Sequence, residues 1–420
     1  MSLRKRAAHT ATFAMIAWRN MWRQKRRSLV VISSMAIGVF AIIVSVAFMN
    51  GMTAQMIENT INTTIGHVTI YREGYRKSMK LKYNFAPEAR FFRVMERNSE
   101  IEGFAPRVKI KGMISSSETS RGVMLMGIDP ERERSVSSIH SYLIPKSGGR
   151  YLSDSAGDGI LISRALAEKL ELEIGDRLVV RIVDDKKDLI GAAFRVEGLF
   201  ESPVEAFDLF VVVLGMRRLQ ELAGIGDRVT EIAVRARHRN EADGVKSYLK
   251  DAVKTKGIEI LSWKDLEPNL VSYINLQDKV ILVFFLIMFI TVIFSIANTL
   301  IMSIMERFHE LGVMKCIGTR PSQIFFMVLF EAINLGGVGL AAGLAFTVPL
   351  VIILGQTGID FSFASDAMRK WRVGTVIYPM LFMKDVILAG LVVLITTVAA
   401  SIYPAVKAAR IRPLEALHFV

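Results

Sequence analysis

One cysteine, Cys316, stands among 420 residues, and that scarcity excludes an internal disulfide framework and any cysteine-rich metal or cluster site. Any part outside the cytosol must be held by packing alone. No GxxxxGK(S/T) phosphate loop occurs in these residues, so the chain cannot by itself cradle and hydrolyse a nucleotide in the usual way. His309-Glu310 opens like an HExxH zinc motif, but Val313 stands where the second histidine would be. The other histidines show no ligand spacing, and no GxSxG elbow appears. Gly224 and Gly226 lack the third glycine and the helix of a dinucleotide fingerprint. Nothing in the sequence points to an enzyme.

Charge is missing from four long stretches. Ser28 to Ile57, Val280 to Met305, Ala332 to Ile359 and Val386 to Val406 contain no charged side chain. Each reaches or exceeds the roughly 20 residues that a helix needs to cross about 30 Å of hydrocarbon. With 51% hydrophobic residues, a mean hydropathy of +0.36 and 22% charge, the chain is too apolar for an ordinary soluble protein and too charged to be wholly embedded. The expected fold is an α-helical membrane domain of four transmembrane helices, at 29–52, 280–304, 325–354 and 386–406, plus a large extracytoplasmic α/β domain at 53–278. A short extracytoplasmic loop is expected at 355–385. The first apolar run is too long for the roughly 7 to 15 residues of a signal-peptide core.

Charge sets the orientation. Arg4, Lys5, Arg6, Arg19, Arg23, Lys25, Arg26 and Arg27 give the first 27 residues +8 of the formal +13, with no acid among them, so the N-terminus should be cytosolic. Residues 53–278 hold 34 Lys and Arg against 33 Asp and Glu and carry no translocation-blocking bias. The tail, 407–420, is basic again at Lys407, Arg410 and Arg412 and falls on the same side. Topology and anionic lipid therefore account for the basic excess without nucleic acid. Within 1–28, Phe13, Ile16, Trp18, Met21 and Trp22 precede the basic cluster as in an amphipathic helix lying along the cytosolic leaflet.

The large segment alternates strand and helix signals. GHVTIYR, GVMLMGIDP, RLVVRIV, AAFRVEGLF, DLFVVVL and IEILSW read as strands; APEARFFRVMERN, SRALAEKLEL and NEADGVKSYLKDAVKTKG have helical spacing. Two sub-lobes are expected, with residues about 120–215 inserted.

Between the second and third apolar runs lies MERFHELGVMKCIGTRPSQI, a cytosolic connector at 305–323 on this topology. As a helix it puts Ile304, Phe308 and Leu311 on one face and Glu306, His309, Glu310 and Val313 roughly opposite. Glu306 and Glu310, four apart, repel each other, so a cationic partner surface is one reading and a solvated connector the other. Gly339 and Gly343 form a GxxxG, compatible with internal helix packing and with pairing to a second membrane subunit. Glu331 is expected as a structural hydrogen-bonding group at the cytosolic interface, and Cys316 as a small buried residue.

The pattern from Glu306 to Ala332, ER.HELGVMKCIG..PSQI......EA, resembles the signature of FtsX-like, MacB-type permeases, the membrane subunits of ABC transporters that include lipoprotein-releasing and macrolide-efflux systems. RNMWRQKRRS, GIDPERE, LAEKLELEIGD and PAVKAARIRPLEAL agree with it, and GIDPERE, FESPVEAFD and SWKDLEP are similar to the lipoprotein-releasing group. Leu311 and Cys316 replace the more usual isoleucine and alanine. The resemblance implies a non-catalytic subunit of a bacterial inner membrane whose connector docks on a cytosolic ATPase dimer through Glu306, Arg307, His309, Glu310, Gly312, Val313, Lys315 and Gly318. ATP and Mg would be bound by that ATPase, with no cofactor in this chain. A second permease copy or paralogue, membrane lipid, lipoproteins and a periplasmic carrier are the other implied partners, although the short VDDKKDLIGA replaces the extended hairpin of the group's receptor-permease. An acylated cargo would be held at the outer ends of the first two helices, where Phe48, Met49, Met52, Val280, Val283 and Phe284 are apolar; facing lipid is the alternative. Efflux of peptides or drugs, and regulation of cell-wall hydrolases, are the competing functions.

Overall fold

The computed structural model describes residues 18–19, 22–23, 25–144, 148–183 and 188–412. Phe13, Ile16 and Met21 of the expected interfacial helix, residues 184–187 of VDDKKDLIGA, and the tail from 413 lie outside the described residues.

In chain order, α1 (Lys25–Thr60) runs into a π-turn at Ile61–Ile65, followed by β1 (Val68–Arg72), α2 (Ala89–Glu96), β2 (Ile101–Ser115), β3 (Ser120–Ile128), β4 (Gly159–Ser163), α3 (Arg164–Leu170), β5 (Arg177–Val183) and β6 (Leu189–Phe200). Then come α4 (Glu205–Phe210), β7 (Val211–Gly215), α5 (Met216–Ala223), β8 (Glu231–Ala236), α6 (Ala242–Val253) and β9 (Ile258–Ser262). The last part holds α7 (Pro268–Glu306), α8 (Phe308–Cys316), α9 (Pro321–Thr357), β10 (Ile359–Asp360), α10 (Ser365–Lys370), β11 (Val376–Ile377) and α11 (Met383–Ala409). Contacts divide the chain into two compact units.

The helical unit takes the segments up to Met52, Ile274–Ile359 and from Ile377 on. Its four long helices are each long and apolar enough to cross a membrane. All four outrun the charge-free stretches that announce them: α1 continues to Thr60, α7 already begins at Pro268, α9 begins at Pro321 and α11 runs from Met383 to Ala409. A helix does not stop where charge begins, and Pro268 supplies a first-turn residue whose missing N–H costs nothing there. Phe285, Met288, Val292, Ile296, Leu300 and Ile304 form the buried stripe of α7, while equally apolar Leu282, Ile287 and Phe294 face outward. Apolar residues on every side are what a helix in hydrocarbon presents. Gly339 and Gly343 of α9 face α1, where an added Cβ would stand 2.9 Å from Met35 Cβ and 2.8 Å from Val39 Cβ. Of the two readings of the GxxxG, the geometry shows internal packing.

In the α/β unit the sheet order is β3-β7-β4-β6-β5-β2-β8-β1-β9, with β3 paired to β2 as well. Strands β2 to β7 therefore close a ring through the C-terminal half of β2, and its N-terminal half carries β8, β1 and β9. Thus one hydrogen-bonded sheet runs through both the expected 120–215 insertion and the rest of the domain. Strand β2 is absent from the sequence reading because Pro106, opposite Ile232, interrupts its strand signal. DLFVVVL, expected as one strand, divides: Asp208–Phe210 closes α4 and the strand starts at Val211. The Asp208 side chain accepts from the Ser202 N–H and Oγ–H, and that local bonding favours a turn over a strand.

A cluster of four charges, two of each sign, is packed inside this unit. Arg107, fully buried, reaches Glu133 through Nη2 at 2.5 Å and Nε at 3.0 Å, and its Nη1 lies 3.4 Å from Glu231. Lys109 Nζ lies 2.8 Å from the same Glu231 oxygen. Both cations also donate to the Thr64 carbonyl, at 3.1 and 2.6 Å, in the π-turn where helical bonding is irregular. Glu133 is placed by Asp129, whose carboxylate caps the short helix Pro130–Glu133 through the Glu131 and Arg132 N–H groups.

His67 gives this unit a pH signature. The imidazole is buried, its Nδ1 accepts from the Ala236 N–H at 3.3 Å, and burial holds its pKa at about 4 rather than 6.5. Glu58 and Glu102 pull it upward, while Arg235 and Arg239 push it down. As pH falls from 6.5 towards 4, the unfolded chain takes up a proton that the folded domain refuses, so stability is lost in that window, by about 3 kcal/mol from this group. Thermal melts of the full chain in detergent should show a shallower acid slope in His67→Gln than in the wild type; parallel slopes would refute the assignment.

Candidate functional site

The connector between α7 and α9 belongs to the helical unit. Leu311 is buried and Phe308 packs against the same apolar core as Ile304, so α8 keeps one face inward. The opposite face carries exposed Glu306, His309, Glu310, Val313, Cys316, Ile317 and Gly318. Ile317 is 80% exposed and Val313 38%. Gly318, at φ 100, takes a left-handed conformation that lets the chain leave α8, and the Thr319 N–H closes back on the Met314 carbonyl at 3.0 Å. Pro321 then starts α9, and Gln323 Oε1 accepts from the Arg320 N–H at 2.8 Å.

Charges around α8 are largely met within the chain. Glu306 pairs with Arg27, and Glu310 with Arg23 at 3.1 Å and Arg307 at 3.2 Å. The repulsion between Glu306 and Glu310, from which a cationic partner was expected, is thus relieved by α1 and the basic segment before it. Arg307 also reaches buried Glu331 at 3.4 Å, and Ser303 Oγ donates to Glu331 at 3.4 Å. Lys315 Nζ donates to the Ala409 and Ile411 carbonyls, both at 2.7 Å, and so closes the C-terminal end of α11.

Of the residues assigned to docking, Glu306, His309, Glu310, Val313 and Gly318 therefore lie on the exposed face. Gly312 is buried, and Arg307 and Lys315 are turned inward. Cys316 is exposed rather than buried, because it lies one helical turn beyond Val313 on the same face. Ile317, to which the sequence assigns no role, is exposed beside them; an isoleucine beside a glycine at a helix end carries no signal of exposure by itself. At the outer ends, Phe48, Met49 and Met52 are half-buried, while Val280, Val283 and Phe284 are exposed on the side of α7 away from its buried stripe. Among the described residues no cluster of His, Cys, Asp and Glu could hold a metal ion.

Four apolar helices, an α/β domain inserted after the first, and an exposed amphipathic helix joining the second to the third define a multi-helix membrane protein with an inserted α/β domain. The chain belongs to the FtsX-like, MacB-type family of ABC transporter permeases: the MacB-like periplasmic core domain matches residues 28–252, and the FtsX-like permease C-terminal domain matches 282–413. It is 24% identical over 419 residues to the lipoprotein-releasing system transmembrane protein LolC of Xylella fastidiosa strain Temecula1, covering 94% of this chain and 96% of that protein. Against the lipoprotein-releasing system transmembrane protein LolE of Haemophilus influenzae it is 20% identical over 427 residues, covering 96% and 98%. A shorter similarity, 30% over 129 residues, links 30% of the chain to 16% of the macrolide export ATP-binding/permease protein MacB of Chlorobium luteolum.

Proposed function

We propose that this permease releases lipoproteins from the inner membrane, driven by a separate cytosolic ATPase dimer and acting with a second permease copy or paralogue. The observation that carries the reading is the similarity to LolC and LolE along nearly the whole of both chains. Without a phosphate loop of its own, the chain takes motion from ATP bound elsewhere. The exposed face of α8 is the docking surface: Val313 and Ile317 form an apolar centre beside Glu306, His309 and Glu310, the arrangement of apolar core and polar rim that protein interfaces favour. α1 leads into the α/β domain and α7 leads out of it, so these two helices are covalent carriers of that motion. Phe48, Met49, Met52, Val280, Val283 and Phe284 are the cargo contacts, where thioethers repack around acyl chains of varied length.

Ile317→Asp should weaken co-purification of the ATPase about tenfold or more while the permease still inserts, since burying a carboxylate at an interface centre is costly. Photo-crosslinkers at Met52 and Phe284 should capture acylated lipoproteins, and Phe284→Asp should lower their release with the ATPase still bound. Crosslinks to phospholipid alone, together with sensitivity of deletion cells to an amphipathic peptide or drug, would replace this reading with efflux, which the MacB similarity favours.

A further inference from the structure

The loop expected at 355–385 is a folded strap whose residues Asp360–Val376 belong to the α/β unit. β10 and β11 pair at its base, and the Phe361 N–H donates to the Thr375 carbonyl at 2.7 Å. From α10, Arg369 grips two acids of the segment around α4: the buried carboxylate of Asp208, and Glu201 at 2.9 Å. Burial pushes the Asp208 carboxyl up to about 6 even with Ser202 and Arg369 beside it, so its charged form depends on the strap for a counter-charge. Arg372 donates to Glu267 at 3.0 Å and to Thr60 Oγ1 at 3.2 Å. The Arg372 carbonyl accepts from Asn59 Nδ2 at 2.8 Å, and the Val376 carbonyl from Gln55 Nε2 at 2.9 Å. Trp371 meets the Tyr273 ring at 5.8 Å, and Val373 is fully buried. Arg372 holds φ 58, a left-handed conformation that a side-chain-bearing residue keeps only where its surroundings over-determine it.

These anchors give a physical role to two motifs that the docking surface does not use. FESPVEAFD supplies Glu201, Ser202 and Asp208, and SWKDLEP supplies Glu267. The strap is covalently the link from α9 to α11. Left unanchored, such a link would be a slack tether able to absorb displacement without passing it on. Anchored to Gln55, Asn59 and Thr60 on one side and to Glu201 and Asp208 on another, it cannot yield independently of the domain.

We infer that the strap is a second drive point through which displacement of α9 and α11 enters the α/β domain, with Arg369 and Arg372 as its coupling residues. The inference rests on the proposed ATP-driven motion and adds the route for half of the membrane helices. Coupling of this kind needs an element with a defined attachment that both ends bias, and the buried Arg369–Asp208 pair provides one.

The test is hydrogen exchange on the full chain co-purified with its ATPase in lipid nanodiscs, with and without ATP. In the wild type, ATP should change exchange in the α/β domain. In Arg369→Gln, amides of 365–376 should exchange about tenfold faster or more. The ATP-driven change in the domain should then be lost while the ATPase rate is retained. Asp208→Asn, which keeps its Ser202 bonds, should give the same phenotype, the double variant should be no worse, and Arg369→Lys should restore part of the response. An ATP-driven domain response that persists in Arg369→Gln, or a strap whose exchange does not change, would overturn the inference alone. A wild-type complex with no ATP-driven change in the domain would overturn the proposed function and the inference with it.

Discussion

Arg107→Met is expected to lower the stability of the protein by about 3 to 5 kcal/mol, the range for removing one partner of a buried ion network. Arg107 and Glu133 are fully buried and Glu231 nearly so; the guanidinium spans both carboxylates and the Thr64 carbonyl. Methionine fills similar volume but leaves Glu133 without a cation, in a place where water cannot replace it. Lys109 still meets Glu231, so the penalty falls mainly on Glu133. Thermal unfolding of the full chain in detergent, followed through the domain's Trp263, measures the loss. Arg150→Ala is the control: Arg150 is 73% exposed and pairs with Glu197 at 3.3 Å, a contact worth about 1 kcal/mol or less. Equal melting of the two variants would show that the buried network contributes no more than a surface pair.

Gly343→Leu, alone and with Gly339→Leu, should separate α9 from α1. A Cβ at position 343 would stand 2.8 Å from Val39 Cβ and 3.1 Å from the Ala36 carbonyl oxygen, which belongs to the backbone and cannot rotate away. Between membrane helices the attraction comes from close backbone approach, so a wedge at this seam removes the contact that holds the pair. Overpacking costs about 1 to 3 kcal/mol per site, enough for the double variant to lose most of its folded yield. Gly337 is the comparison on the same helix: a Cβ there meets nothing within 4 Å, so Gly337→Leu should elute and melt as wild type. If Gly343→Leu behaves like Gly337→Leu, the seam does not depend on small residues.

The connector shows how far linear pattern reaches. Helical periodicity separated Ile304, Phe308 and Leu311 from Glu306, His309, Glu310 and Val313, and the exposed and inward faces of α8 divide along that line. Periodicity gives a face but not the partners on it. Lys315 lies in the same charged run as Glu310, yet its ammonium points to the end of α11, nearly a hundred residues away in sequence. Cys316 is expected to be buried by its type and is exposed because it continues the face of Val313, and Ile317 is exposed where the helix ends beside it.

By itself the sequence determined the four membrane helices, their order and the family. Each of these is local: a helix in hydrocarbon satisfies its own backbone, so an uncharged stretch of sufficient length announces itself without reference to the rest of the chain. Tertiary structure alone decided which charges are buried together, which glycines form a seam, and that the segment after α9 is an anchored strap. Arg107 meets Glu231, and Arg369 meets Asp208, across more than a hundred residues. Ion pairing depends on proximity in space and on the removal of water, and neither leaves a trace in the spacing of residues along a chain.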